Sequence, residues 1–119
     1  IALGDNGETM MSLDRMRLVL EVTNETATVE AGIRLFEFNT ILEEHGVALL
    51  NMGATAEQSV AGVISTGTHG TGVALGSMST QVLSFRIVLA SGTFFFAIRE
   101  STRFENQKQQ QHKQVKFET

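Results

Sequence analysis

The 119 residues contain no Cys and no Pro. Without Cys, disulfides, thiolate zinc sites and a cysteine nucleophile are excluded. Residues 1–98 hold no Lys. That excludes a phosphate loop of the Gly-Lys-Ser/Thr type there. No apolar run approaches the roughly 18 residues needed to span a bilayer. No basic start followed by an apolar stretch is present, so no signal peptide is read. The first residue is Ile1 rather than Met, which reads as a processed chain or an excerpt of a longer one. Positive charge is scarce: the net charge is −4. Nucleic acid is therefore not expected as a partner, because phosphate binding needs a basic face. Average proline usage of about 5% would place roughly six in a chain of this size; nothing in the sequence accounts for their absence.

What is present builds a core. Hydrophobic residues make up 42% and charged residues 18%, outside the disordered, collagen-like and membrane-spanning classes. The length suits one small domain. Charge is uneven. Residues 1–98 carry ten acidic residues against four Arg, a net −6, and residues 99–119 carry a net +2. The last stretch includes Gln107, Lys108, Gln109, Gln110, Gln111 and His112 and has few large apolar groups. It buries too little to offset its chain entropy and reads as a frayed helix or disordered tail over 97–119.

Residues 1–96 read as mixed α/β. Met10–Leu13 and Leu18–Val22 have strand composition, and Asn24-Glu25 is a turn into a strand at Ala27–Ala31, closed by Gly32. Leu35, Phe38, Ile41, Leu42 and His45 recur at helical spacing, with Leu35, Phe36, Phe38 and Leu42 expected in the core and Gly46 as the stop. His45, at the helix end, is expected to be structural. Ser84–Ala90 is a strand that turns at Ser91-Gly92 into Thr93–Phe96. Phe94, Phe95 and Phe96 are expected in the core. His112 is expected to be solvated.

The stretch from Asn51 to Ser79 carries the chemistry. Ser65-Thr66-Gly67-Thr68-His69-Gly70-Thr71-Gly72 alternates glycines with hydroxyls and holds one His. Glycines permit left-handed backbone and close approach to a ligand. Successive N–H groups can then face one concavity and hold an anion. Thr66, Thr68 and Thr71 add hydroxyl donors. Gln58–Ile64 reads as a short helix starting near Ser59, and a helix start favours phosphate. The dinucleotide fingerprint fails on spacing, because Gly70-Thr71-Gly72 is followed three places on by Leu75. From glycine content alone, a cofactor loop and a plain glycine-rich turn stand level, and an unrelated nucleotide-binding module stays open.

Thr28-Val29-Glu30-Ala31-Gly32, Leu49-Leu50-Asn51-Met52-Gly53, Glu57-Gln58-Ser59-Val60-Ala61-Gly62 and the Ser65–Gly72 run together decide for the loop. In combination they resemble the FAD-binding domain of vanillyl-alcohol-oxidase (PCMH) type flavoproteins. Within that group the chain is most similar to sugar-1,4-lactone oxidases, the gulonolactone and arabinonolactone oxidases, and to the related alditol oxidases. The resemblance runs from about Met11 to Phe94. It implies an α+β fold, the second subdomain of the FAD-binding domain, with a mixed sheet and flanking helices. It implies FAD as cofactor, with contacts at Ala54, Ser59, Gly62, Thr66, Gly67, Thr68 and His69 that hold the cofactor and move no proton. His69 is thus expected as a cofactor contact, not as a metal ligand or base. Also implied is oxidation of a sugar lactone or polyol, with hydride passing to the flavin and oxygen or another acceptor as oxidant.

Some features depart from the family pattern. Leu50 stands where the family has Pro, and Ala54 where it has Ser, which removes one hydroxyl. The N-terminal subdomain with its flavin-attaching His motif and the substrate domain have no counterpart here, so this chain alone is expected to be inactive. After Phe96 the match ends, and that stretch reads as the product of a truncated, mis-spliced or frameshifted gene. Family members often associate with organelle membranes; no anchor is read here.

Overall fold

Residues 11–99 and 113–119 are described by the structure, a computed structural model. Six strands form one mixed sheet. They are β1 (Val19–Val22), β2 (Thr26–Val29), β3 (Val47–Leu49), β4 (Val82–Val88), β5 (Phe94–Ile98) and β6 (Lys113–Glu118). The order is β1-β2-β6-β4-β5, with β3 also paired to β6. β6 runs parallel to β2, β3 and β4, whereas β1–β2 and β4–β5 are antiparallel pairs. Two helices flank the sheet: α1 (Leu35–Glu44) and α2 (Val60–Ser65). Mixed sheet and flanking helices agree with the expectation.

β6 corrects the reading of the C-terminal stretch. Lys113–Glu118 lies between β2 and β4 in place of a solvated tail. Strand backbone on both sides satisfies its N–H and C=O groups, which a composition argument does not weigh. The rest of that stretch, residues 100–112, lies outside the described residues.

The helical spacing gives α1 its buried face: Leu35, Phe38 and Leu42 are buried. Phe36 does not join them and is 44% exposed, because it sits off that stripe. His45 caps the C-terminus, its ring Nδ1 lying 2.8 Å from the Ile41 carbonyl. Gly46 follows at φ +68, the left-handed conformation that ends helices. β2 alternates, with Ala27 and Val29 buried. Together with Ile33, Val47, Val60, Val63, Met78 and Val82, these residues form one core.

The strand expected at Met10–Leu13 does not form over Met11–Leu13; Met10 lies outside the described residues. Local bonds win there. Ser12 Oγ accepts from the Asp14 N–H at 3.2 Å, and Met16 N–H donates to the Leu13 carbonyl at 2.8 Å. Two ion pairs clasp this turn to α1: Arg17 with Glu37, and Arg34 Nη2 with Asp14 Oδ1 at 2.7 Å. A hydrogen bond from Ser12, and then Arg34, holds the Asp14 carboxyl below its ordinary pKa. A hydrogen bond from Arg17, and then the Arg34 N–H, does the same for Glu37.

The β4–β5 hairpin leaves the body of the fold. Val82 and Ser84 are buried, but Arg86, Ile87 and Val88 are exposed. Phe94, Phe95 and Phe96 are 67, 53 and 61% exposed, which corrects their assignment to the core. The aromatic run has the right spacing for a strand, but among the described residues nothing buries Phe94, Phe95 and Phe96.

Candidate functional site

The glycine-rich segment is built on α2. Ser59 is the helix N-cap, and its Oγ accepts the Gly62 N–H at 3.2 Å. Val60 and Val63 are fully buried and fix the helix to the core. The first amides of α2 are already committed. Val60 N–H donates to the Ile33 carbonyl at 2.9 Å, and Ala61 N–H to the Ala31 carbonyl at 2.8 Å. The helix start therefore docks the α2 turn onto the β2–α1 loop instead of facing a phosphate, contrary to the sequence reading.

The loop that follows is where donors are available. Gly67 has φ +66, and a Cβ there would meet nothing within 4 Å. Thr68 anchors the loop at both backbone groups. Its N–H donates to the Val63 carbonyl at 3.2 Å, and its carbonyl accepts from Met78 N–H at 2.7 Å. Among the described residues, the N–H groups of Gly67, His69, Gly70 and Thr71 meet no acceptor. Successive free amides of this kind are what an anionic group requires.

Hydroxyl protons are used differently. Thr66 Oγ1 donates to the Gly62 carbonyl at 2.9 Å and lies 3.0 Å from Thr68 Oγ1. Each hydroxyl has one proton, so Thr68 donates to Thr66. Both shape the loop and offer a ligand lone pairs, not the donors anticipated from sequence. His69 Nδ1 lies 2.8 Å from the Gly70 carbonyl. A carbonyl only accepts, so Nδ1 carries the proton of this contact, and Nε2 is the ring nitrogen left open. His69 is exposed.

A second loop, Leu50–Gly53, lies against the first. A Cβ on Gly70 would sit 2.5 Å from the Met52 carbonyl oxygen, and one on Gly53 would sit 2.6 Å from Thr68 Cγ2. The two loops touch only because both positions lack a side chain. Gln81, which sequence reading did not single out, holds the second loop from inside the core. It is 3% exposed, its Oε1 accepts Leu50 N–H at 2.9 Å, and its Nε2 donates to the Asn51 carbonyl at 2.8 Å. Asn51 Nδ2 in turn donates to the Gly76 carbonyl at 3.0 Å. No motif marks Gln81; a lone amide before an apolar strand is the only signal.

Of the expected site residues, the structure thus links Ser59, Gly62, Thr66 and Thr68 through hydrogen bonds, with Gly67 between them. Ala54 is exposed beside Gly53, and His69 follows Thr68. A separate apolar cleft of about 650 Å³ lies between α2 and the β4–β5 hairpin, and none of the seven residues lines it. Among the described residues there is no cluster of His, Asp or Glu able to hold a metal, and no helix long and apolar enough to cross a membrane.

Residues 1–97 match the FAD binding domain family. The chain belongs to that family. FAD is the cofactor this domain takes, and the free amides of the Gly67–Thr71 loop fit its anionic diphosphate. The domain is 40% identical over 89 residues to the D-arabinono-1,4-lactone oxidase of Yarrowia lipolytica, covering 70% of this chain and 17% of that protein. It is 43% identical over 86 residues to the L-gulonolactone oxidase of Mus musculus, covering 71% and 20%. With the D-arabinono-1,4-lactone oxidase of Kluyveromyces lactis it shares 39% over 99 residues, covering 78% and 19%. The FAD-binding domain thus spans about a fifth of the length of the curated relatives it matches.

Proposed function

We propose that this chain is the second subdomain of the FAD-binding domain of a sugar-1,4-lactone oxidase of the arabinonolactone or gulonolactone type. FAD, when bound, supplies the two-electron acceptor for oxidation of a lactone carbinol, with oxygen or another acceptor as final oxidant. The chain's own residues hold and orient the cofactor. The N–H groups of Gly67, His69 and Gly70 bind the diphosphate. His69 meets the cofactor through Nε2, the ring nitrogen that the Gly70 carbonyl does not engage. Ala54, Ser59, Gly62, Thr66 and Thr68 shape the walls. None of them is assigned a catalytic proton transfer.

The observation that carries this reading is the run of free amides on a loop pinned at Thr68 and backed by the Asn51–Gly53 loop. The lactone oxidase relatives support the substrate class. Two measurements test it. Titrating FAD with the chain should quench flavin fluorescence, whereas equal or stronger binding of ATP or NAD would overturn the cofactor assignment. A full-length polypeptide carrying this segment should oxidise sugar lactones and reduce oxygen or an acceptor dye. Turnover of polyols but not lactones would move the assignment to an alditol oxidase. The isolated chain is expected to bind flavin without turnover.

A further inference from the structure

The sheet ends on two edges of opposite character. β1 is blunted by Glu21 at mid-strand and by a bulge between Val19 and Glu21. Both devices discourage pairing with another strand. β5 has neither. Its sequence, Phe94-Phe95-Phe96-Ala97-Ile98, carries no charge, and its ladder to β4 runs unbroken from Val88–Phe94 to Ser84–Ile98. Ile98 is 72% exposed, alongside the three exposed phenylalanines.

The hydrogen-bond phase of that ladder determines which backbone groups face outward. Leu89 N–H donates to the Thr93 carbonyl at 2.9 Å, and Arg99 N–H to the Leu83 carbonyl at 2.7 Å. Antiparallel pairs alternate between bonded and non-bonded. Phe95 and Ala97 therefore turn their N–H and C=O toward β4. Phe94, Phe96 and Ile98 turn theirs to the free edge, where no described residue pairs with them.

We propose that β5 pairs antiparallel with β5 of a second copy of this chain, across a twofold axis at Phe96. In that register Phe96 faces its symmetry mate, and Phe94 faces Ile98 of the second copy. The outward N–H and C=O groups of all three positions then meet partners. Phe94, Phe96 and Ile98 fall on one face and Phe95 and Ala97 on the other, in both copies. No like charges meet, and aromatic cross-strand pairs are favourable. A twofold also closes the assembly. Phenylalanine carries roughly 150–250 Å² of surface. At the observed exposures the three present about 350 Å² per copy, an upper bound on what pairing covers because their outer faces stay open; the interface is thus smaller than the roughly 1,200 Å² of a stable complex and suits a weak, reversible dimer. The edge matches itself better than it matches β1, whose bulge and Glu21 oppose pairing. The inference stands independently of the cofactor.

Sedimentation velocity of the full chain across a dilution series tests it. A reversible monomer–dimer equilibrium is expected. Phe96→Glu places like charges opposite each other at the axis, while Arg86, its neighbour on β4, keeps the monomer's hairpin satisfied. Dimer affinity should fall at least about tenfold. Phe94→Glu alone should also weaken it, and adding Ile98→Lys should restore it, because each new acid then faces a new base. Circular dichroism confirms that each variant is folded. A monomer at every concentration, an open series of larger species, an unchanged affinity in Phe96→Glu, or no rescue by the double variant would each overturn the proposal.

Discussion

The side-chain nitrogen of Gln81 donates to the carbonyl of Asn51 at 2.8 Å from a position only 3% exposed. One buried amide thus holds the loop that backs the Gly67–Thr71 turn, the proposed cofactor-binding segment. Replacing Gln81 by Leu leaves the Leu50 N–H and the Asn51 carbonyl without partners. The expected loss is about 2–4 kcal/mol of stability, read by urea unfolding. FAD affinity should fall as well. A loss below about 0.5 kcal/mol would mean that water takes over the amide's place.

Gly70 and Gly67 should respond differently to alanine. At Gly70 a methyl group meets Asn51 and the Met52 carbonyl, so the two loops must part. FAD affinity should drop by at least about tenfold, a change of ~1.4 kcal/mol. At Gly67 there is open space but a φ of +66, so the expected cost is about 1 kcal/mol of backbone strain. Equal effects of the two substitutions on flavin fluorescence titrations would refute this division.

Ser59 separates capping from binding. Ser59→Ala removes the N-cap of α2 and should cost about 1 kcal/mol. Ser59→Asp keeps a cap and should hold stability near that of the parent. If Ser59 adjoins the diphosphate, the added charge should nevertheless weaken FAD binding. An aspartate variant with parent stability and parent affinity would remove Ser59 from the cofactor site.

Acid should release the clasp between the Ser12–Arg17 turn and α1. Asp14 and Glu37 have folded-state pKa values below the ordinary carboxylate range. Their pairs therefore stabilise the fold above that range and are lost as pH falls through the depressed values, below about 4. Carboxyl NMR titration should show both midpoints lowered, and amide exchange of Leu13–Arg17 should quicken over the same interval. Midpoints at ordinary values would show that these exposed pairs are not held in solution.

Legibility in the sequence follows locality. α1 is readable because Leu35, Phe38 and Leu42 repeat at helical spacing and Gly46 follows. The Ser59 cap, the Gly92 turn and the β4–β5 hairpin are readable for similar reasons. β6 is not, because its pairing is non-local. Its one signal is Val115 and Phe117 alternating with Lys116 and Glu118, outweighed by the polar run before it. The exposure of Phe94–Phe96 is also unreadable, since spacing says that a strand forms but not whether anything covers it. At the site, the glycine run shows where a ligand loop lies. It does not reveal that the first amides of α2 are engaged by Ala31 and Ile33, or that Gln81 supports the opposite loop.

The central place of β6 has a kinetic consequence. β2 ends at Val29, yet its neighbour in the sheet begins at Lys113. Ribosomes add roughly 5–20 residues per second, so β2 emerges several seconds before the strand that completes it. Pairings this distant in sequence also form slowly once both strands exist. During that interval the backbone edge of β2 and the hairpin aromatics are open to other chains, and β6 closes only the first of these.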